Sequence, residues 1–413
     1  MTLTELAKGC KKASFQIMNM NTEDKNRILN QIIINLKVNI PFILEANKKD
    51  IETAKIHKMD EGRIDRMMLN EERMQSILEG VKLVIGLGDP IGSVETCGTL
   101  NNGLKLSQMR VALGVVGMIY EARPNVSVDA ACLCLKAGNA IMLRGSKDIL
   151  QTNIELVKAM RSAIKRCGYD ENMITLLEDT SRSTASTFMK LNQYLDVLIP
   201  RGGASLIQNT LKEATVPVLE TGTGNCHVYV DDDADLNQAI SIIINAKTSR
   251  TSVCNACESV LLHSSLSDDF IKDLINELLK HKVLIHGDEH ICSYNTSLIP
   301  ASDDDYYKEY LGLEISIKMV DNLDEAITHI NQYGTHHSET IVSLNQNHIQ
   351  TFLRQVDSAC VYSNASTRFS DGFEFGLGAE IGISTQKLHA RGPMGLKALT
   401  SLKYIIIGNG QIR

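Results

Sequence analysis

The sequence lacks the features that would place the protein in a membrane, outside the cell or on nucleic acid. No apolar run in its 413 residues approaches the roughly 18 that a membrane span needs. The opening residues show no basic segment followed by an apolar one, so we expect no secretion. A formal net charge of −7 argues against nucleic acid or an anionic membrane as the main partner. We therefore expect a cytoplasmic protein, in which a local cluster of arginine and lysine could still bind a small anion.

Metal and disulfide motifs are also missing. The ten cysteines form no small-domain disulfide framework and no pair of CxxC motifs with zinc spacing. Cys254 and Cys257 make a single CxxC without a second ligand pair, so we expect no metal site. The glycine fingerprint GxGxxG is absent too, so the usual sequence evidence for a dinucleotide cofactor is missing.

The chain is long enough for two domains, and the order of its segments predicts α/β units. Residues 1–90 have helical periodicity, with helix-cap signals at Asn21 and Asn70, and residues 94–111 have the pattern of a β-hairpin. From residue 113 onward, strand-like segments, polar loops and helix-like segments alternate, which is typical of a doubly wound sheet. Ligands bind such sheets at the carboxyl ends of the strands. Three loops are expected to share that edge, at 121–125, 144–147 and 200–205.

The best candidate for covalent chemistry is Cys254. It lies in a polar run, residues 247–258, between a helix-like apolar segment and a strand-like one. Nearby backbone N–H groups and the cations Lys247 and Arg250 could stabilise its thiolate. The alternative is that Cys254 is a small buried side chain, as most reduced cysteines are.

Several motifs occur together in an order that resembles the γ-glutamyl phosphate reductases, a divergent branch of the aldehyde dehydrogenase superfamily. The resemblance runs from about Leu36 to the C-terminus, and the segments around Cys254 and around His389 to Arg391 are its most specific parts. The motifs are Gly114–Gly117, Arg123–Asn125, Lys136–Ala140, Leu143–Gly145, Ile199–Gly203, Val253–Ala256 and Ile383–Leu396.

The resemblance implies a reaction. The substrate would be L-glutamate 5-phosphate, the cofactor NADPH, and the product glutamate 5-semialdehyde, in the second step of proline synthesis. Cys254 would attack the acyl phosphate, and the resulting thioester would accept hydride. Asn125 matches the superfamily's oxyanion-hole asparagine, with the Cys254 backbone N–H as second donor; the alternative is that Asn125 only caps a helix after Pro124. Glutamate 5-kinase, which makes the acyl phosphate, is the protein expected to contact this chain transiently.

The resemblance also assigns the cofactor residues. The adenosine end of NADPH would lie at Arg144, Gly145, Ser146 and Lys147, where two positive charges favour a 2′-phosphate, unless Lys147 is only a solvated surface charge. The remaining cofactor residues would be Pro200, Arg201, Gly202, Gly203, Glu220 and Glu309. Glu220 stands where hydrolytic relatives carry the glutamate that activates water. A reductase does not need that water, so we expect Glu220 not to be an essential base.

Four cations are candidates for the anionic groups of the substrate: Arg123, Arg250, His389 and Arg391. Arg123 and Arg391 are preferred, because both lie in loops rich in glycine or proline. For Arg391 the alternative is a structural ion pair with Glu380 or Asp371.

These observations predict an aldehyde dehydrogenase-like α/β protein with two doubly wound domains. An NADPH-binding domain would comprise residues 1–92, 113–225 and 360–395, and a catalytic domain residues 226–359. The hairpin, residues 93–112, and a tail strand within 396–413 would form an oligomerisation element that builds a homodimer or homotetramer. Two other functions stay open: an NAD-dependent dehydrogenase that hydrolyses its thioester, favoured by Glu220, and a non-catalytic oligomeric scaffold.

Overall fold

The computed structural model describes all 413 residues, Met1–Arg413, as two units that each contain a parallel sheet. The first unit comprises Met1–Thr221, Gly376–Gly382 and Met394–Arg413. The second comprises Gly222–Phe375 and Ile383–Pro393. None of the ten cysteines is in a disulfide.

The first unit begins with helices whose starts the sequence signals clearly. The side chains of Asn21 and Asn70 each accept a backbone N–H at 2.8 Å, which caps the second and fourth helices as predicted. Its helices are α1 (Leu3–Met18), α2 (Thr22–Ile56), α3 (Glu61–Met67), α4 (Glu71–Gly86), α5 (Asn125–Lys136), α6 (Leu150–Arg166), α7 (Arg182–Phe188) and α8 (Ala204–Glu213). Its first six strands are β1 (Val94–Thr99), β2 (Lys105–Ala112), β3 (Val115–Tyr120), β4 (Ala140–Gly145), β5 (Ile174–Leu176) and β6 (Val197–Arg201).

Four of these strands form the parallel sheet of the first unit, in the order β5-β4-β3-β6. All six residues of β3 are buried, which explains its continuous apolar sequence. Because the strands are parallel, the loops after β3, β4 and β6 leave the same edge, as the sequence predicts.

The second unit contains a larger sheet of seven parallel strands, in the order β10-β9-β11-β8-β7-β12-β13. Its strands are β7 (Cys226–Val230), β8 (Cys257–His263), β9 (Leu284–Gly287), β10 (Ile299–Pro300), β11 (Glu314–Val320), β12 (Ser338–Val342), β13 (Cys360–Ser363), β14 (Ile383–Ser384) and β15 (Gly392–Pro393). Its helices are α9 (Leu236–Thr248), α10 (Asp268–Lys280), α11 (Glu289–Tyr294), α12 (Asp303–Tyr306), α13 (Leu323–Tyr333) and α14 (Gln346–Gln355). Strands β14 and β15 pair separately with each other.

The predicted hairpin and tail strand join in one antiparallel sheet of the first unit. The tail strand β16 (Thr400–Ile407) pairs along its whole length with β2, which also pairs with β1. Residues 401–407 are mostly exposed, including the large side chains Tyr404 and Ile406.

The expected domain boundary near residue 360 is wrong. Strand β13 does not return to the first sheet but pairs in parallel with β12 at the edge of the second sheet. The reason is local: α14 connects two strands that are close in sequence, and such strands usually become neighbours. The second unit therefore extends to Phe375 and also includes Ile383–Pro393.

Helix α2 is long and apolar enough to cross a membrane if only length and composition are considered. Its polar side chains are used inside the first unit instead. Asn35 donates to the carbonyl oxygen of Ala159 at 3.1 Å, and Asn47 donates to that of Met67 at 2.8 Å. These contacts pack one face of α2 against the rest of the first unit.

Candidate active site

The loop that carries Cys254 connects α9 to β8 in the second unit, and its backbone is held from one side by residues 224–226. A Cβ atom at Gly224 would coincide with the carbonyl group of Cys254, so only glycine fits there. The Cys226 thiol lies 3.2 Å from the same carbonyl oxygen and donates to it. Burial raises the pKa of Cys226 well above its ordinary value, which keeps this donor protonated. The half-buried Cys254 thus has a fixed backbone position.

Glu309 supports residues 224–226 in turn. Its Oε1 accepts the N–H of Gly224 at 2.7 Å, and burial raises the pKa of its carboxyl group. The neighbouring Asn225 donates through Nδ2 to the carbonyl oxygens of Tyr306 and Tyr333, at 2.7 and 2.9 Å. One carboxylate oxygen of Glu309, predicted to hold the cofactor, is therefore used to position the Cys254 loop.

Lys247, one of the two cations expected to stabilise the Cys254 thiolate, forms an internal ion pair. Lys247 is fully buried, and its Nζ lies 2.5 Å from Oε2 of the equally buried Glu258. Burial raises the pKa of Glu258 to about 7, although Lys247 opposes this shift. The pair joins the end of α9 to the start of β8, so its effect on Cys254 is to fix the two ends of the loop.

The other side of the loop is closed by residues 366–370, which the sequence analysis did not single out. Asn255 donates through Nδ2 to the carbonyl oxygens of Arg368 and Ser370, at 3.2 and 2.9 Å. Its own carbonyl oxygen accepts the Thr367 hydroxyl at 2.8 Å. These partners are more than 100 residues away in sequence, and no local pattern could have indicated them.

The second cysteine of the CxxC has the environment of a packing residue. Cys257 is fully buried at the start of β8, and burial raises the pKa of its thiol to about 12. A thiol that stays protonated at neutral pH is a poor nucleophile.

Asn125 is the first residue of α5 in the first unit. It does not cap this helix, because the cap is Pro124 and no side chain contributes a cap hydrogen bond. Its Nδ2 donates to Oδ2 of Asp129 at 2.9 Å. Burial raises the pKa of Asp129 to about 6, while the Asn125 hydrogen bond lowers it. An asparagine amide has two N–H donors, so Asp129 orients the group and leaves a second donor for a ligand.

Two of the three loops at the edge of the first sheet meet through Glu121. Its Oε2 accepts the N–H of Gly203 at 2.9 Å, and a Cβ atom at Gly202 would lie 2.7 Å from the same carboxyl group. Gly203 is the N-cap of α8, where a carboxylate is favourable. Thr221 joins this edge by donating to the carbonyl oxygen of Pro200 at 2.8 Å. Glu121 was not predicted, although its position in the loop after β3 was a usable signal.

The third loop shows that Arg144 and Lys147 have different roles. Arg144 donates through Nη2 to the carbonyl oxygen of Thr180 at 2.7 Å, and burial lowers its pKa. Lys147 is exposed and lines a cavity of about 400 Å³ together with His57, Arg63 and Asp148. Gly145 has no room for a Cβ atom next to Asn153. Ser146 caps the short helix that follows. Lys147 is therefore the cation of this loop that a ligand can reach.

The preferred substrate cation Arg391 is engaged in an ion pair, but not with either carboxylate that we expected. Its Nη2 lies 2.9 Å from Oδ1 of Asp357, and Lys387 contacts the other oxygen of that carboxylate at 2.7 Å. Hydrogen bonds from Lys387 and then Arg391 lower the pKa of Asp357. Arg391 thus shares its charge with a carboxylate of the second unit, which weakens its case as a substrate ligand.

The other proposed cations lie in different places. Arg123 is half-buried in the loop after β3 in the first unit, while His389 is exposed in the same segment as Arg391. Arg250 is exposed at the start of the Cys254 loop. Glu220 is partly buried near the end of the first unit, and burial raises its pKa.

Comparison with known proteins gives consistent matches along the whole chain. The aldehyde dehydrogenase family model matches residues 6–294. The γ-glutamyl phosphate reductase of Halalkalibacterium halodurans is 53% identical over 412 residues, covering 100% of this chain and 99% of that protein. The crystal structure of γ-glutamyl phosphate reductase from Thermotoga maritima is 44% identical, with a TM-score of 0.97 over 100% of this chain and 99% of that one. The Saccharomyces cerevisiae enzyme of the same name is 30% identical, with a TM-score of 0.55 over 100% and 99% of the two chains.

Proposed function

The chain belongs to the γ-glutamyl phosphate reductases within the aldehyde dehydrogenase family, and from this membership we propose that Cys254 is the residue that carries the acyl group. The chain is an oxidoreductase of proline biosynthesis that reduces L-glutamate 5-phosphate to L-glutamate 5-semialdehyde and releases phosphate. It uses a nicotinamide cofactor. The roles of individual residues and the preference for NADPH are our proposals.

In the proposed mechanism the Cys254 thiolate attacks the acyl carbon, and the bond from that carbon to the phosphate oxygen breaks. The amide of Asn125 and the backbone N–H of Cys254 donate to the oxyanion that forms before phosphate leaves. The reduced nicotinamide supplies hydride when it is bound. The same two donors then stabilise the second oxyanion, whose collapse releases the aldehyde and restores the thiolate.

The observation that carries this mechanism is the rigid backbone of Cys254. Position 224 has no room for a side chain next to the Cys254 carbonyl group, and the Cys226 thiol donates to that carbonyl oxygen at 3.2 Å. Asn255 holds the next peptide unit through two further carbonyl groups. A nucleophile that must present both a thiolate and a backbone donor to one acyl group benefits from such fixed geometry.

We propose that Glu220 is not a catalytic base. Burial raises its pKa, which would suit a base that activates water, but hydrolysis of the thioester would waste the substrate. We expect its carboxyl group to be displaced from the thioester or to bind the substrate amine. A Glu220→Gln enzyme that forms the thioester normally but cannot reduce it would contradict this assignment.

NADPH rather than NADH is the proposed cofactor because of Lys147. The exposed ammonium lies at the carboxyl edge of β4 with a cavity beside it, where a 2′-phosphate would find a positive charge. Lys147→Glu should reverse that charge and lower kcat/KM for NADPH much more than for NADH. An unchanged ratio of the two values would remove Lys147 from the cofactor site.

One assay separates the proposed function from its alternatives. The semialdehyde should be oxidised with NADP⁺ only when inorganic phosphate is present, and iodoacetamide should stop the reaction by alkylating Cys254. Oxidation that does not need phosphate would indicate an ordinary hydrolytic dehydrogenase. Absence of any turnover would favour a non-catalytic scaffold.

We also propose that the sheet formed by β1, β2 and β16 mediates a homodimer or homotetramer. Its support is the exposed apolar surface of β16, including Tyr404 and Ile406. A cytoplasmic location and a transient contact with glutamate 5-kinase complete the proposal. A monomeric mass for the intact protein in light scattering would contradict the assembly.

A further inference from the structure

A cation that the sequence analysis did not single out lies against the residue that follows the nucleophile. Arg368 belongs to a short 3₁₀ turn, Thr367–Phe369, in the second unit. Its Nη1 donates to Oδ1 of Asn255, and its Nε donates to Oγ of Ser249 at 3.2 Å. These contacts at both ends of the Cys254 loop fix the plane of the guanidinium group. Its Nη2 makes no hydrogen bond within the protein, so two N–H donors of this oriented group are available to a ligand.

A second arginine lies close to the first. Arg250 is exposed in the same loop and makes no hydrogen bond or salt bridge. Burial is the main cause that lowers the pKa of Arg368, and repulsion from Arg250 adds to it. The charge of Asp371 acts in the opposite direction, and so, to a smaller extent, does that of Cys254, so the guanidinium group interacts electrostatically with the thiol.

Neither Arg250 nor Arg368 forms a salt bridge, and this absence needs a physical reason. An arginine in a protein stays protonated, so Arg250 and Arg368 cannot relieve their repulsion by losing a proton. No carboxylate forms a salt bridge with either of them, whereas Arg391 and Lys387 in the same unit share Asp357. Two neighbouring guanidinium groups that form no salt bridge with a carboxylate provide the paired N–H donors that phosphate oxygens accept.

We propose that Arg250 and Arg368 form the phosphate subsite of the enzyme, beside Cys254. The proposal rests on the function assigned above, because it is the acyl phosphate that brings a phosphate group to this cysteine. In the reductive direction the two arginines bind the phosphate of L-glutamate 5-phosphate. In the oxidative direction they bind inorganic phosphate, which makes Arg368 a substrate-binding residue and leaves the other anionic group of the substrate to different cations.

The subsite fits the group transfer that takes place at the sulfur. In the reductive direction a bond forms between the Cys254 sulfur and the acyl carbon, the bond from this carbon to the phosphate oxygen breaks, and its electron pair leaves with phosphate. The leaving oxygen gains negative charge in this step, and the two guanidinium groups stabilise it. In reverse, a phosphate oxygen attacks the thioester carbon and the electron pair of the carbon–sulfur bond returns to the thiolate.

The subsite can be tested through the dependence of semialdehyde oxidation on inorganic phosphate. Arg250→Ala and Arg368→Ala should each raise the KM for phosphate by about 10- to 100-fold, as expected for the loss of a charged hydrogen bond. The KM values for NADP⁺ and semialdehyde should change much less. Arg368→Lys should recover part of the affinity because it keeps the charge. Arg354→Ala removes an exposed arginine of α14 in the same unit and should leave all three KM values unchanged.

A second measurement needs no turnover, so it stays informative if the proposed function itself fails. Cys254 can be alkylated by anionic iodoacetate and by neutral iodoacetamide. The ratio of the first rate to the second should be higher in the unmodified protein than in either alanine variant. Inorganic phosphate should slow that alkylation in the unmodified protein only. Arg250 makes no hydrogen bond or salt bridge, so its variant tests the site even if Arg368→Ala disturbs the loop. Unchanged phosphate KM and reagent preference in Arg250→Ala and Arg368→Lys would overturn the proposal, as would a selective rise in the KM for NADP⁺.

Discussion

The two segments that carry the proposed catalytic groups are held in different ways. In the second unit, the loop of Cys254 is fixed through its backbone by Gly224, Cys226 and the residues that bind Asn255. In the first unit, Asn125 lies on a helix and is oriented through its side chain by a single partner, Asp129. The nucleophile depends on the position of its main chain, since its own N–H is a proposed donor. The amide depends only on the direction of one side chain.

This difference predicts where a substitution will be most damaging. Changes near Cys254 should disturb folding and turnover together, because the residues that hold the loop are packed against its backbone. Changes near Asn125 should alter turnover or pH dependence with smaller effects on stability.

Cys254→Ser should lower turnover by at least about 1,000-fold, because a hydroxyl group is a much weaker nucleophile than a thiolate. Cys257→Ser is the matched control, since it makes the same change three residues away at a buried packing position. Steady-state kinetics with phosphate present should find this control active. If both variants lost activity equally, the CxxC would act as a unit and our separation of the two cysteines would be wrong.

Gly224→Ala should decrease the free energy of unfolding by about 3 kcal/mol, because the added methyl group would overlap the Cys254 carbonyl group. Chemical denaturation measures this change, and the remaining folded protein should also turn over more slowly. Gly86→Ala is the control: no atom lies within 4 Å of its added Cβ, and it ends a helix. This control should be neutral or slightly stabilising. A Gly224→Ala protein as stable and active as the control would show that the backbone of Cys254 is not tightly held.

Asn125→Ala should lower kcat on the order of 100-fold, the usual effect of losing one oxyanion-hole donor. Stability should change far less than in Gly224→Ala, because Asn125 makes one side-chain contact and does not cap its helix. Kinetics and denaturation of the same preparation measure both quantities. A large loss of stability with normal turnover of the folded fraction would make Asn125 a structural residue.

Asp129→Asn should stabilise the protein at pH 8 by about 1 to 3 kcal/mol, because it removes a carboxylate from a partly buried position. Burial raises the native pKa of Asp129 to about 6, above its ordinary value, so between about pH 4 and 6 the native state binds more protons than the unfolded state. The contribution of this group to stability is therefore complete at low pH and is lost as pH rises through 6. Denaturation at several pH values should show the variant's advantage shrinking towards pH 4; an advantage independent of pH would contradict the assignment.

The sequence predicted much of the fold because the patterns concerned are local. The apolar run of β3, the caps at Asn21 and Asn70 and the hairpin around residues 101–103 each depend on neighbouring residues, and all are present in the structure. The boundary near residue 360 was missed because the four-residue strand β13 has no pattern of its own, and only its closeness in sequence to β12 indicates the sheet that it joins.

For the candidate site, local charge was a poor guide. Lys247 was predicted to act on Cys254 but is buried against Glu258, and Arg391 is paired with Asp357. Arg368 was overlooked because it reaches the Cys254 loop from more than 100 residues away in sequence. Motifs identified the residues that we propose to react, whereas the residues that hold them are determined by contacts between distant segments.

We propose above all that Cys254 forms a thioester whose acceptor is phosphate. Rapid mixing of the enzyme with semialdehyde and NADP⁺ in the absence of phosphate tests this most directly. We predict a burst of about one NADPH per active site, followed by a much slower rate, because the thioester then lacks its acceptor. Mass spectrometry should locate the acyl group on Cys254, and added phosphate should restore rapid turnover. Rapid turnover without phosphate and without a burst, or an acyl group on another residue, would contradict the account.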